Sequence, residues 1–164
     1  MTATLLIVWY SRTGGSRQLA EAARDGALDA GDIEVRYLAA EDAGSEDLLG
    51  ADGYIFACPE NLAAIAGVMK AFFDRTYYDV LGRIEGRPYA ALICAGSDGE
   101  NARRQLERIA TGWRLKRVTD TQIVNVGAQT RDEILADKAI REANLASARE
   151  LGATLAVGLE MGVF

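Results

Sequence analysis

Apolar runs of strand length alternate with amphipathic helical stretches along most of the chain, and this pattern limits the fold more than any other feature. The runs are Thr4–Tyr10, Ile33–Leu38, Gly53–Cys58, Tyr89–Ala95 and Val118–Val126. The first, third and fourth are almost continuously apolar, as strands covered on both faces must be. Between them lie helical patterns. Ser16–Ala30 is alanine-rich and is followed by Gly31, a candidate helix stop. Ala64–Tyr78 gathers Ile65, Val68, Met69, Phe72 and Phe73 on one face. Asn101–Thr111 sets Ala102, Leu106 and Ile109 on a stripe leading to Trp113, with Gly112 as the stop. Thr130 and Glu133 have capping-box spacing and are expected to open a long last helix. Ser45–Leu49 has room for one short helical turn.

Five strand–helix alternations predict an α/β chain, a doubly wound three-layer sandwich on a five-stranded parallel sheet. With 164 residues, the expectation is one domain over residues 1–164, large enough to fold without a disulfide or a metal. The sequence has no histidine, which removes Ser–His triads, histidine metal sites and imidazole relays. A net charge of −6 makes generic binding to nucleic acid or to anionic membrane unfavourable. No apolar run approaches the length of a membrane span, and the N-terminal residues lack a basic region ahead of an apolar one. Cys58 and Cys94 are too few for a disulfide scaffold. The expected setting is the cytoplasm.

In a sheet of this kind a ligand binds beyond the carboxyl ends of the strands, where the strand order reverses. Three connections therefore carry the functional information. The first is Ser11-Arg12-Thr13-Gly14-Gly15-Ser16. It leaves a buried strand and opens a helix. Its glycines let backbone N–H groups turn inward, the helix adds the positive end of its dipole, and three hydroxyls can donate. That is a phosphate cradle without a lysine, and it fits neither the dinucleotide fingerprint nor the nucleotide-triphosphate loop. The bland counterpart is a strand–helix turn with a hydroxyl cap.

This hexapeptide resembles the Ser/Thr-x-Thr-Gly-x-Ser/Thr loop with which flavodoxin-like proteins hold the phosphate of FMN. Residues 45–59, with Asp52-Gly53-Tyr54-Ile55-Phe56 and Cys58-Pro59, are similar to that family's third strand and the proline after it. Gly67–Arg75 looks like the following helix of NAD(P)H-dependent FMN and quinone oxidoreductases. The resemblance covers most of residues 4–101; the rest agrees in element order alone. It implies a flavodoxin-like fold with strand order 2-1-3-4-5 and bound FMN. It also implies cofactor contacts from Ser11, Arg12, Thr13, Gly14, Gly15 and Ser16 to the phosphate. Pro59, Glu60, Asn61 and Leu62 would lie against the isoalloxazine ring near N5. Gly96, Ser97, Asp98 and Gly99 would face its N1–C2 edge. The alternative for this last loop is an ordinary turn with Asp98 or Asn101 as a cap.

Electron-transfer flavodoxins sandwich the ring between aromatic side chains, and neither ring-side loop here contains one. An open ring face suits stacking of a nicotinamide and then of an acceptor. The expected function is FMN-dependent oxidoreduction, with NAD(P)H as cosubstrate and a quinone, flavin or similar small molecule as electron acceptor. No catalytic side chain or metal is required, because the cofactor carries the chemistry. A one-electron flavodoxin shuttle is the first alternative and a non-catalytic flavin-binding protein the second; a homodimer or tetramer is the candidate assembly. A phospho-receiver module shares the fold but needs acidic residues where Ser11-Arg12-Thr13 and Cys58-Pro59 stand. Cys58 and Cys94 read either as a redox pair or as two small core residues, the latter being the commoner case. Six bases lie within Arg103–Arg117 against Glu107 alone. They read as a solvated helix face, with contact to NAD(P)H phosphates as the sharper alternative. Tyr77 and Tyr78 read as core or rim residues, with a subunit contact over a neighbour's flavin as the alternative, and Tyr10 reads equally as a core residue or as one near the cofactor mouth.

Overall fold

A computed structural model describes all 164 residues. Its strands are β1 (Thr4–Trp9), β2 (Glu34–Ala39), β3 (Gly53–Asn61), β4 (Ala64–Ile65), β5 (Pro88–Ala95), β6 (Lys116–Arg117) and β7 (Gln122–Asn125). Its helices are α1 (Gly15–Ala30), α2 (Ser45–Gly50), α3 (Gly67–Val80), α4 (Glu100–Gly112), α5 (Arg131–Leu135) and α6 (Glu142–Met161). The parallel sheet runs β2-β1-β3-β5, and both β6 and β7 pair with the outer edge of β5. The expected order 2-1-3-4-5 is therefore present, with the fifth strand in two pieces. The break falls at Val118–Thr121, where three of four residues are polar or β-branched threonine.

Strand alternation produces two cores. Leu6, Val8, Tyr54, Phe56, Cys58, Ala91 and Ile93 point toward α3 and α4, where Met69, Phe72, Phe73, Leu106 and Trp113 cover them. Leu5, Ile7, Ile55, Ala57, Leu92 and Cys94 point the other way, under Leu19, Ala23 and Ala27 of α1 and Leu151 and Leu155 of α6. Aromatic rings concentrate in the first core, with Phe56 in contact with Phe72, Phe73, Tyr89 and Trp113. The second is built from alanines and aliphatics, which lets α1 and α6 approach the sheet and each other closely. No helix is long and apolar enough to cross a membrane.

Several local expectations are corrected. Gly31 does stop α1, but as an extended cap and not a left-handed one, and its missing side chain leaves room for Ala156 and Glu160 of α6. Gly112 is the last residue of α4, as expected, but a Cβ there would meet the Tyr77 hydroxyl, and the left-handed residue that follows is Arg114. The third helix begins at Gly67, because Ala64–Ile65 folds back on β3 as an antiparallel pair. The Thr130–Glu133 capping box forms, but it opens only the five-residue α5. The chain then runs extended, tied to the first loop, and the long helix starts at Glu142.

Candidate cofactor crevice

The carboxyl ends of β1, β3 and β5 converge on one crevice. Its walls are Arg12 and Thr13 after β1, Pro59, Glu60 and Asn61 on β3, and Cys94, Ala95 and Gly96 at the end of β5. Its enclosed part is small, about 70 Å³. It shares Arg12, Thr13 and Lys138 with a more open groove of about 410 Å³ that also meets Trp9, Ser11, Gly14 and Arg17. Ligand sites for molecules of cofactor size are about 300–1,000 Å³, so the open groove reaches that range and the enclosed part is only its inner extension.

The first loop has the features of an anion cradle. Gly14 takes φ +94°, which turns the chain sharply into α1, and no side chain caps that helix. The Ser11 hydroxyl accepts from the Gly14 N–H at 3.0 Å and so fixes the turn. Beneath it, Gly15 leaves no space for a side chain: a Cβ would fall 2.6 Å from the Cys94 sulfur. Ser16 is 1% exposed, and its hydroxyl has no hydrogen-bond partner. A buried unpaired hydroxyl costs about 1–3 kcal/mol, and it lies beside the uncapped amides of the first helical turn. A phosphate ester accepted there would satisfy both. These residues fit the phosphate of FMN.

The two ring-side segments differ in character. Pro59–Asn61 belongs to a β-hairpin, not a loop: Glu60 pairs with Ile65 and Asn61 with Ala64. Leu62 sits at the hairpin tip, fully exposed, and does not line the crevice. Gly96–Gly99 is a true loop. Gly96 reaches the crevice, Ser97 and Asp98 are exposed, and Gly99 takes φ +95° as the N-cap of α4, packed on Ala95 and Ile123. Of the residues singled out from sequence, Arg12, Thr13, Pro59, Glu60, Asn61 and Gly96 line the enclosed space. Ser11 and Gly14 line the adjoining groove, whereas Gly15 and Ser16 are buried at the start of α1 and line neither space. Leu62, Ser97, Asp98 and Gly99 do not line either.

A fourth wall escaped the sequence reading. Val126, Ala128, Ile134 and Lys138, from the segment around α5, complete the crevice. The Lys138 N–H donates to the Thr13 carbonyl at 2.8 Å. The Gln18 amide donates to the carbonyls of Gly14 and Lys138 and accepts from the Ile140 N–H. One side chain of α1 thus joins the cradle to this strap. The Lys138 ammonium is occupied by the carbonyls of Glu133, Ile134 and Ala136, so it holds the strap's shape. The only sequence signal was the capping box; the pairing with Gln18 spans more than 100 residues and has no local signature.

The cysteines are not a pair. Cys58 belongs to one core and Cys94 to the other, on opposite faces of the sheet, and both are free thiols. Burial pushes the Cys58 thiol up to about 12 and the Cys94 thiol up to about 11. Half of the six bases in the basic stretch are ion-paired, Arg103 with Glu100 and Glu107, Arg117 with Glu107, and Arg114 with Glu85, and Lys116 is exposed without an ion pair. Arg104 and Arg108 remain exposed. Tyr77 stacks on Trp113, whereas Tyr78 is 81% exposed. No cluster of histidine, cysteine, aspartate or glutamate is grouped to hold a metal ion.

Among solved structures, a flavodoxin from the Archaea has a TM-score of 0.78 at 16% identity, covering 95% of this chain and 98% of its own. Among curated proteins, a flavodoxin of Aquifex aeolicus (strain VF5) is 34% identical over 95 residues, 58% of this chain and 51% of that protein. The quinone-oxidoreductase QR2 of Triphysaria versicolor is 30% identical over 120 residues, 60% of this chain and 58% of that protein. The chain thus spans little more than half the length of the curated relatives it matches. The family described as NADPH-dependent FMN reductase matches residues 5–130, from the first buried strand to the start of the strap. A flavodoxin-like sheet, an anion cradle after its first strand and this family match place the chain in the NADPH-dependent FMN reductase family.

Proposed function

We propose that this chain is an FMN-dependent oxidoreductase that passes reducing equivalents from NAD(P)H to a small acceptor such as a quinone or a free flavin. The observation that carries the reading is the Ser16 hydroxyl, buried and unpartnered beside the uncapped start of α1. When bound, FMN supplies the redox chemistry itself. The protein's part is binding and exclusion. Thr13, Ser16 and the first amides of α1 would hold the phosphate, with the Arg12 guanidinium at the rim. The Pro59–Asn61 backbone and Gly96 would border the ring. Ile134 and Val126 would shield the side facing the strap, where apolar contact displaces water. The absence of aromatic side chains from residues 59–63 and 96–99 leaves a ring face free for a nicotinamide or an acceptor. Under the same proposal residues 1–164 act as one domain in the cytoplasm, with no nucleic-acid or membrane partner, as a homodimer or tetramer.

The test is the double variant Thr13→Ala/Ser16→Ala. Each hydroxyl lost to a phosphate oxygen costs about 1.5–3 kcal/mol, so FMN affinity should fall by more than about a hundredfold. Quenching of FMN fluorescence on titration with the protein reads the affinity directly. Equal affinity in the variant would reduce the loop to a plain turn. Anaerobic mixing of the FMN-loaded protein with NADPH should bleach the flavin absorbance within seconds; a persistent yellow colour ends the reductase reading. A one-electron shuttle is the second reading, supported by the likeness to the Aquifex aeolicus flavodoxin over its shared 95 residues. Reductive titration separates the two: a shuttle stops at a one-electron form, and the proposed enzyme passes directly to the two-electron form.

A further inference from the structure

The hairpin that borders the crevice is strained, and α4 holds it. Two residues, Leu62 and Ala63, join β3 to β4, with φ of +53° and +61°. Positive φ at both central positions is the signature of a type I′ turn, which favours Asn-Gly or another glycine-containing pair. Leucine and alanine carry a Cβ that clashes with the following carbonyl in this region. Nothing packs on Leu62 to offset that cost, since it is fully exposed. A turn of this kind persists only when its surroundings hold it, and such strain concentrates at functional sites.

Two side chains one turn apart on α4 do the holding. The Asn101 side-chain amide donates to the Ala63 carbonyl at 2.5 Å, on the turn itself. The Gln105 side-chain carbonyl accepts from the Ile65 N–H at 2.9 Å, on the returning strand. The same helix begins at Gly99 and therefore carries the Gly96–Gly99 loop at its N-terminus. One rigid element thus sets the position of both ring-side walls. Glu60 pairs directly with the clamped Ile65, and Asn61 with Ala64, which lies between the two held residues, so any relaxation of the turn moves the crevice wall.

We infer that Asn101 and Gln105 are positioning residues for the cofactor, clamping a strained hairpin in the form that FMN requires. This rests on the FMN reading above. The clamp acts on the backbone, so it holds whether or not a ligand is bound, and its two consequences separate experimentally. In the ligand-free protein, the Asn101→Ala/Gln105→Ala variant should exchange the Ile65 amide proton faster than wild type. In the loaded protein, the same variant should bind FMN about three- to tenfold more weakly per lost bond, with a shifted midpoint potential. A turn that itself prefers positive φ needs no clamp. Leu62→Asn/Ala63→Gly, introduced into the Asn101→Ala/Gln105→Ala background, should therefore restore both affinity and potential. Faster exchange with unchanged affinity and potential would make the two residues purely structural and overturn the inference alone. Failure of the turn substitution to restore them would overturn it as well. Wild-type protein that binds no FMN overturns the functional reading, and the inference with it.

Discussion

The cradle stands at the end of α1, so its position depends on what fixes the height of that helix, and α6 does so through two glycines. A Cβ built on Gly152 would lie 1.8 Å from the Ala23 carbonyl oxygen, and one on Gly26 would lie 2.0 Å from the Arg149 carbonyl oxygen. The contacts are reciprocal, backbone against backbone, and no side chain can rotate away to relieve them. A carbon–oxygen contact relaxes only near 3.3 Å, so Gly152→Ala forces the helices apart by roughly 1.5 Å. That separation opens the layer formed by Leu19, Ala20, Ala23, Ala148, Leu151 and Leu155, all buried. Overpacking usually costs 1–3 kcal/mol, and an obstacle made of backbone puts this case at about 3 kcal/mol or above. For a chain of this size each kcal/mol moves the midpoint by about 2–4 °C, so thermal melting should begin about 6–12 °C earlier. FMN affinity should fall with it, because α1 carries Ser16. Ala153→Gly is the control: next to the contact and half-buried, it loses only helix propensity, at most about 1 kcal/mol. A Gly152→Ala protein melting within 2 °C of wild type would refute the argument that helix contact sets the cradle.

Two further outcomes follow from the titratable groups. Burial pushes the Glu107 carboxyl up, but hydrogen bonds from Thr121 and Arg117 and the charges of Arg117 and Arg103 outweigh it, and the carboxyl is held below its usual range. A depressed carboxyl contributes stability above its unfolded value, near pH 4.3, and loses it as pH falls through the folded value. Glu107→Gln should therefore lower stability at neutral pH and flatten the acid limb of a denaturation-versus-pH curve; an unchanged acid limb would contradict this. With thiols pushed up to about 12 and about 11, Cys58 and Cys94 carry almost no thiolate at pH 8. Iodoacetamide should label neither in the native protein and both after denaturation, and rapid native labelling of either would show an opening that the fold does not predict.

The parallel sheet was legible because its buried strands are written locally, and the strand order followed from the family resemblance carried by residues 4–101. Continuous apolar runs such as Tyr89–Ala95 can only be strands covered on both faces, and all eight residues of β5 are buried. The cradle was legible because its chemistry fits in six consecutive residues. Boundaries were harder wherever a distant contact decides them. Gly31 and Gly112 do end their helices as read, but each is a glycine because α6 or Tyr77 presses on it and not for a left-handed turn, which the local sequence does not reveal. The Ala64–Tyr78 pattern hid a hairpin, because Leu62-Ala63 carries none of the residues that announce a tight turn.

The strap is the clearest case of information absent from local sequence. A capping box predicts that a helix starts and says nothing about how far it runs. Five residues on, Lys138 gives its N–H to Thr13, and Gln18 takes both the Lys138 carbonyl and the Ile140 N–H. Those bonds compete with helix continuation, and they win because α5 has no buried residue to reward it. The helix restarts at Glu142, where Ala148 and Leu151 can face α1. The same competition places Ile134 over the crevice. The wall on that side is therefore built partly by Val126 and Ala128, inside the span that matches the family, and partly by Ile134 and Lys138, beyond it. Under the proposed function, Ile134→Ala should change the ratio of the rates toward a quinone and toward a free flavin, measured at saturating FMN; an unchanged ratio would contradict a role for the strap in acceptor choice.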